Sequence, residues 1–190
     1  MEEALFNEDV KNRLMFAAVQ ELEEHGVNDF SLRRVASRAQ VSCAAPYRHF
    51  KSREDLIVAV LVFIREQFFL FCEAVKAAHG ADARALCIEL AISEVRFWVA
   101  SPKLFSVLLM SASDSAYREE IDAIDAPLAA AIRTLYPTDS ERVLTEVLSR
   151  VLGYSVLLVR DGVQNNEEIF TTLRLDLERC FVTVTQVTKG

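Results

Sequence analysis

The chain has 190 residues, of which 52% are hydrophobic and 26% are charged, and its formal net charge is −7. This balance is typical of a folded globular protein and excludes disordered and collagen-like chains. The longest stretch without Asp, Glu, Lys or Arg covers ten residues, 104–113, about half of the ~20 residues that a membrane span needs. The acidic segment 1–9 lacks the basic patch of a secretory signal, so we expect a cytoplasmic protein without a membrane partner.

Glycine, histidine and cysteine exclude several classes of site. The five glycines are all isolated, whereas phosphate-binding loops and dinucleotide-binding motifs need clustered glycines. The three histidines are scattered, and the four cysteines form no CxxC pair, so neither a metal site nor a disulfide framework is indicated. We therefore expect no cofactor, no catalytic constellation and no enzyme activity, and thiols that are reduced and mostly buried.

Apolar residues recur at helical spacing along nearly the whole chain, which predicts an all-α protein. A first helix ends at Gly26, Ser31 caps a short second helix, and Ser42 caps a short third helix that ends near His49. Ser52 caps a long fourth helix that reaches Gly80. Further helices are predicted over 82–99, 102–111, 114–136 with an interruption or kink at Pro127, from Asp139 or Ser140 to Asp161, and 167–187.

Positive charge is concentrated in the segment 31–53, which contains six basic residues and no acidic one. The segment therefore carries +6, while the rest of the chain carries −13. Two short helices joined by a tight turn, with positive charge on and beside the second, are typical of a helix-turn-helix that enters the major groove of DNA. An ordinary solvated basic face is the alternative reading of the same charge pattern.

The predicted third helix begins with short side chains, which let a backbone approach the edges of bases. Alanine can contact thymine methyl groups, and serine can donate or accept a hydrogen bond. Aromatic and basic side chains follow where phosphates would pass. The candidate DNA-binding residues are Arg33, Arg34, Ser42, Cys43, Ala44, Ala45, Tyr47, His49 and Lys51.

The segment from about Val10 to Leu56 resembles the DNA-binding domain of TetR-type transcriptional repressors. The resemblance rests on Gly26-Val27, Phe30-Ser31-Leu32, Val35-Ala36, Ala39-Gln40-Val41-Ser42 and the run 45–56. Members of this family commonly have glycine before the Val-Ser pair, where this chain has Gln40, and again soon after it. The resemblance implies that Arg33 and residues 42–45 face bases, and that Tyr47, His49 and Lys51 face the DNA backbone.

The resemblance and the charge pattern together predict two domains. Residues 1–52 would form a three-helix DNA-binding domain with a helix-turn-helix, and residues 53–190 a larger helical domain for effector binding and dimerisation. The expected function is that of a transcriptional regulator, a repressor that a small hydrophobic or aromatic ligand releases from a palindromic double-stranded operator.

Two apolar helices near the C-terminus predict a homodimer. Residues 147–159 contain one charged side chain, Arg150, so this helix must be buried on both sides. A two-fold four-helix interface follows, as in TetR-like proteins. Its candidate residues are Leu148, Leu152, Gly153, Val156, Leu173, Leu177, Phe181 and Val184.

An aromatic-rich set of side chains on the intervening helices is a candidate ligand pocket. Such a pocket would be chiefly apolar, with Trp98, Tyr117, His79 and Arg96 as candidate polar groups. Core packing is the alternative for each of these residues. The candidate pocket residues are Phe63, Phe71, Trp98, Phe105, Met110 and Tyr117.

Other functions remain open at this point. A redox-sensing regulator of the same fold would use Cys43, Cys72 or Cys87, and would need a thiol with a lowered pKa. A helical adaptor that only dimerises would leave the basic segment without a role. A helical enzyme would lack any positioned acid, base or metal cluster.

Overall fold

The computed structural model describes residues 2–111, 117–162 and 167–187, and every regular element in these ranges is an α-helix. The predicted all-α fold is confirmed. The helices are α1 (Glu2–His25), α2 (Leu32–Arg38), α3 (Pro46–His49), α4 (Arg53–His79), α5 (Ala83–Ala100), α6 (Pro102–Ser111), α7 (Arg118–Ile124), α8 (Ala126–Leu135), α9 (Ser140–Arg160) and α10 (Glu167–Val187).

Capping residues determine where the N-terminal helices begin and end. Gly26 has a φ of +70° after α1, a conformation that glycine adopts without strain. The Ser31 hydroxyl accepts a hydrogen bond from the Arg34 amide at 3.4 Å and begins α2. The Ser52 hydroxyl accepts from the Asp55 amide at 3.1 Å and begins α4. The predicted caps of α2 and α4 are therefore confirmed.

Proline moves the start of one predicted helix and accounts for the predicted interruption of another. The third helix was expected to begin at Ser42 but begins at Pro46, because Pro46 has no amide hydrogen to donate to the Ser42 carbonyl. That carbonyl instead accepts from the Ala45 amide at 2.9 Å, in a tight turn. The helix expected over 114–136 is divided into α7 and α8, with Pro127 in the first turn of α8, where its missing amide is tolerated. Residues 112–116 lie outside the described ranges.

The chain forms two compact units. The first unit comprises residues 1–66 and 103–123. Helices α1, α2 and α3 pack against one another within it, and the shared core is apolar. Buried members of that core include Leu14, Ala18, Leu22, Val35, Ala36 and Phe50.

The second unit comprises residues 67–102 and 124–190. Its central helix is α5, which packs against α8, α9 and α10. Ten α5 side chains are buried, so α5 is surrounded by the other helices of the unit. No helix of the described residues is long and apolar enough to cross a membrane. The functional boundary at residue 52 remains a prediction.

Candidate nucleic-acid interface and ligand cavity

The turn between α2 and α3 contains a residue in the left-handed region. Gln40 has a φ of +55° and is the one non-glycine residue of the described chain with a positive φ. The Arg13 guanidinium on α1 donates to the Ala39 carbonyl and, at 3.3 Å, to the Gln40 carbonyl. Arg13 therefore holds the turn against α1 and fixes the direction in which the chain enters α3.

Residues between the turn and α3 present short side chains to solvent. Ser42, Cys43 and Ala44 are exposed, as a surface that approaches the edges of DNA bases requires. Ala45 is only 8% exposed and packs into the core of the first unit. The expectation that the Ala45 methyl contacts a base does not fit this burial, because its side chain points away from solvent.

Helix α3 consists of a single turn with exposed polar and aromatic side chains. Tyr47 is 63% exposed and Arg48 is exposed, while His49 is half-buried. Phe50 follows at once and is buried, which anchors the C-terminal end of α3. The amide of Lys51 donates to the Asp55 carboxylate at 2.9 Å, so the backbone at Lys51 is fixed by α4. The predicted contact residues after Ala45 are therefore held in place at both ends.

The six cations of segment 31–53 divide into two groups. Three of them are engaged in the fold: Arg34 and Arg38 pair with carboxylates of α1, and Arg53 donates to the Phe30 carbonyl at 3.2 Å and to the Val27 carbonyl. The other three have exposed side chains that form no ion pair among the described residues. These free cations are Arg33, Arg48 and Lys51.

Glu21 explains why Arg34 and Arg38 are engaged. Its side chain is completely buried, and its carboxylate accepts from Arg34 Nε at 2.5 Å, from Arg38 Nε at 3.3 Å and from the Ser31 amide at 3.3 Å. A buried carboxylate needs such partners, because an unpaired one is strongly destabilising. Arg34 is thus placed as a structural residue, although the sequence indicated a DNA contact.

Arg48 is an exposed cation of α3 that the sequence pattern did not single out. Arg48 belongs to the basic segment 31–53 but not to the candidate contact residues. The structure places its side chain in solvent on the one-turn helix α3, next to Tyr47.

The second unit contains a cavity of about 510 Å³. Three helices supply its walls, and its lining is largely aromatic and aliphatic. The volume lies within the 300–1,000 Å³ that is usual for small-molecule sites. The lining residues are Gln67 and Phe71 of α4, Arg96, Phe97, Val99 and Ala100 of α5, and Phe170 of α10.

Three of the six predicted pocket residues belong to the core instead. Trp98, Phe105 and Tyr117 are at most 2% exposed. Phe63 packs edge-on against Phe16, with 5.9 Å between the ring centroids. Large aromatic side chains stabilise a core by their own burial, and sequence periodicity does not distinguish this from cavity lining. Phe71 alone of the predicted set lines the cavity, and the Met110 side chain lies outside the described part of the chain.

Arg96 is the one charged side chain in the cavity lining. Its guanidinium lies 4.0 Å from the centroid of the Phe170 ring. Both terminal nitrogens donate to the Glu167 carboxylate, with three N–O distances of 3.2 Å. A cation and an apolar surface therefore meet at one wall of the cavity.

The cysteines differ in accessibility. Cys43 is exposed, whereas the other three are buried. Burial raises the pKa of Cys72 and of Cys87 to about 12 and also raises the pKa of Cys180. Such thiols remain protonated at neutral pH, which argues against the redox role considered for Cys72 and Cys87.

The candidate dimer residues also divide by exposure. On α9, Leu152, Gly153 and Val156 are exposed, and Leu148 is half-buried. A Cβ added to Gly153 would meet nothing within 4 Å in this chain. On α10, by contrast, the predicted residues Leu173, Leu177 and Phe181 are fully buried within their own unit, so they are not available to a partner. The Val184 side chain lies outside the described part of the chain.

Comparisons with known proteins agree with this geometry. Residues 14–60 match the family model described as bacterial regulatory proteins, tetR family. The match covers α2 and α3 completely, together with parts of α1 and α4. No curated protein matches the chain.

Solved structures share the fold over nearly the whole chain. A TetR-family regulator from Rhodococcus sp. has a TM-score of 0.72 and 20% identity, covering 91% of this chain and 98% of its own. A TetR regulator from Haloarcula marismortui has a TM-score of 0.71 and 22% identity, covering 91% and 96%. FadR from Bacillus subtilis, solved in complex with stearoyl-CoA, has a TM-score of 0.69 and 14% identity, covering 87% and 96%.

Proposed function

We propose that this chain, a TetR-type regulator by its N-terminal family match and its fold, is a dimeric repressor that a small ligand releases from a palindromic operator. The family match over residues 14–60 and the shared fold support a DNA-binding regulator of transcription. Dimerisation, the ligand and release from DNA are the further parts of the proposal.

The observation that carries the DNA-binding role is the division of the basic segment. Arg33, Arg48 and Lys51 are exposed and unpaired among the described residues, and the short side chains of residues 42–44 are exposed as well. Free cations neutralise phosphates, and short side chains allow the backbone to approach base edges. The engaged cations Arg34 and Arg38 instead hold α2 on α1. A solvated basic face would not require this separation of roles.

Dimerisation is supported by the apolar surface that α9 and α10 leave exposed. Leu152, Val156 and Leu157 of α9 and Leu175 of α10 are all at least 39% exposed, although they are large hydrophobic residues. Gly153 lies within this surface and has open space before it, which permits close approach of a second helix. A two-fold pair would carry two reading surfaces, as recognition of two half-sites one helical turn apart requires.

Ligand release is supported by helix α4. This helix begins at Arg53, directly after the candidate DNA-binding residues, and it also supplies Gln67 and Phe71 to the cavity. A ligand that contacts these side chains can favour one position of α4 over another, which is the differential binding that allosteric coupling requires. The similar fold of FadR was solved with stearoyl-CoA bound, so this architecture can accommodate a ligand with an apolar chain.

Selection of bound duplexes from a random DNA pool by the purified protein tests the proposal. We expect a palindrome with half-sites separated by whole helical turns. Arg33→Ala should then weaken binding to the selected duplex by about tenfold or more. Absence of any enriched sequence from a folded dimer would contradict the repressor role and favour a helical adaptor.

A further inference from the structure

The cavity of the second unit combines apolar walls with a single cationic group. Three phenylalanine rings, Phe71, Phe97 and Phe170, supply most of the wall, and Gln67 is the other polar side chain in the lining. An apolar body would replace water against these rings. Arg96 would then face whichever polar group the ligand carries.

We infer that this cavity binds an organic monocarboxylate with an apolar body, whose carboxylate pairs with Arg96 in place of Glu167. The inference rests on the proposed function in one respect, since it identifies the chemical class of the effector. Binding itself is measurable without DNA.

Arg96 already adopts the geometry of a carboxylate site. Its two terminal nitrogens face the Glu167 carboxylate, in the forked arrangement that arginine forms with this group. The Phe170 ring, 4.0 Å from the guanidinium, supports it from one side. A ligand carboxylate would therefore meet a guanidinium that is already oriented, which lowers the ordering cost of binding.

Glu167 is a weak and replaceable partner. Its side chain is 75% exposed, and an ion pair at such exposure contributes little because water screens it. Glu167 is also the first residue of α10, where the helix end favours negative charge near Arg96. A ligand carboxylate can take over both interactions while its apolar body fills the cavity.

Neutral and cationic ligands fit the site less well. A ligand with an alcohol in place of the carboxylate would leave the Arg96–Glu167 pair intact and gain only the apolar contacts. A cationic ligand would face the guanidinium with like charge, which disfavours binding. The site should therefore discriminate among ligands of the same apolar body by the charge of their head group.

Calorimetric titration of the full-length protein without DNA tests this inference. The probes are 4-phenylbutyrate and decanoate, each compared with the alcohol of the same chain, 4-phenylbutan-1-ol and 1-decanol. We expect at least one carboxylate to bind about fivefold or more tightly than its alcohol. Arg96→Gln should abolish that preference, because carboxylate and alcohol then meet the same uncharged side chain.

Glu167→Gln supplies a change in the opposite direction. It removes the competing carboxylate, so the affinity for the preferred carboxylate probe should rise about threefold to fivefold. Lys76→Gln is the matched control, because it removes a cation of the second unit that pairs with Glu73 and does not line the cavity. Circular dichroism of each variant confirms that it is folded.

Two results would overturn the inference. Equal binding of carboxylates and alcohols by the wild-type protein would exclude a carboxylate site, as would an unchanged preference in a folded Arg96→Gln variant. DNA binding by the ligand-free protein is measured separately. If the protein binds an enriched duplex but shows no carboxylate preference, the repressor role stands and this inference fails. If the protein prefers carboxylates but binds no enriched duplex, this inference stands and the repressor role fails.

Discussion

Arg34 of α2 donates from Nε to Oε1 of Glu21 on α1 at 2.5 Å, and the Glu21 side chain is completely buried. The same carboxylate accepts from Arg38 and from the Ser31 amide. It therefore joins the first turn of α2 and its last residue to α1. Glu21 therefore gives Arg34 and Arg38 a structural role, while other cations of the basic segment 31–53 remain unpaired among the described residues.

Glu21→Ala should destabilise the protein strongly for a single polar substitution. It removes three hydrogen bonds to a buried carboxylate, and we expect the free energy of unfolding to fall by about 2 kcal/mol. Urea denaturation measures this change. Glu24→Ala is the control, because Glu24 pairs with Arg38 at the surface and its loss should cost less than about 1 kcal/mol. Equal effects of the two substitutions would refute the role assigned to Glu21.

The end of α1 and the starts of α2 and α4 could be predicted because their causes are local. Gly26, Ser31 and Ser52 act on the backbone within a few residues of themselves. The roles of the arginines could not be predicted in the same way. Arg34 and Glu21 are thirteen residues apart in the sequence, and their contact depends on how α1 and α2 pack. Sequence charge therefore identified the basic segment but not which of its cations are free.

Gln40→Gly should stabilise the protein. Gln40 has a φ of +55° and an exposed side chain, and a residue with a Cβ is strained there by about 1 kcal/mol. Glycine removes that strain, so we expect a gain of about 0.5 kcal/mol or more in the free energy of unfolding. Thermal and urea denaturation both report it.

Ser37→Gly is the opposite control for Gln40→Gly. Ser37 is exposed and lies within α2, where glycine costs about 0.5 kcal/mol. The two glycine substitutions, three residues apart, should therefore change stability in opposite directions. A loss of stability in both variants would show that Gln40 is not strained.

Glu94→Gln should stabilise the protein at neutral and higher pH. Burial, together with the adjacent Asp125 carboxyl, raises the pKa of Glu94 well above its ordinary value. As pH rises above that ordinary value, the unfolded chain loses this proton while the folded chain retains it. The free energy of unfolding of the wild-type protein then falls by up to about 1.4 kcal/mol per pH unit. The variant has no titrating group at position 94 and does not lose this free energy. The difference in unfolding free energy between variant and wild type should therefore grow from pH 5 to pH 8, as measured by urea denaturation.

Glu89→Gln, on the same helix, should have the reverse effect. The hydrogen bond from Arg174 lowers the pKa of Glu89, so its ionised form stabilises the folded state above the ordinary carboxyl pKa. That contribution is lost as pH falls through the lowered value. We expect the variant to be less stable than wild type at pH 7 and to approach it at acidic pH. A gain at pH 7 would contradict the Arg174 pairing.

The residues that line the cavity could not be predicted from sequence patterns. Aromatic residues were expected to line a pocket, yet Trp98 and Tyr117 fill the cores of their units. Phe170 of α10 lines the cavity together with Arg96 and Phe97 of α5. Helical spacing identifies the face of the helix on which a residue lies. Whether that face lines a cavity or a packed core depends on how α4, α5 and α10 pack together, which the spacing does not give.

Val156→Glu should separate the proposed dimer without unfolding the chain. The Val156 side chain is 43% exposed, so a carboxylate there is solvated in the monomer but buried in the α9 interface. We expect the dimer dissociation constant to rise about a hundredfold, as measured by sedimentation equilibrium. Thr134→Glu, at an exposed position of α8, should leave the association unchanged. A Val156→Glu protein that remains dimeric would show that α9 does not form the interface.

The salt dependence of binding by Lys51→Ala tests the proposed DNA interface most directly. Lys51 is exposed and unpaired among the described residues, and its backbone contact with Asp55 survives the substitution. We expect affinity for the selected duplex and for unrelated duplexes to fall together. The slope of log affinity against log salt concentration should become shallower by about 0.9, which corresponds to one phosphate contact. A variant with the wild-type slope would contradict the assignment of this surface to DNA.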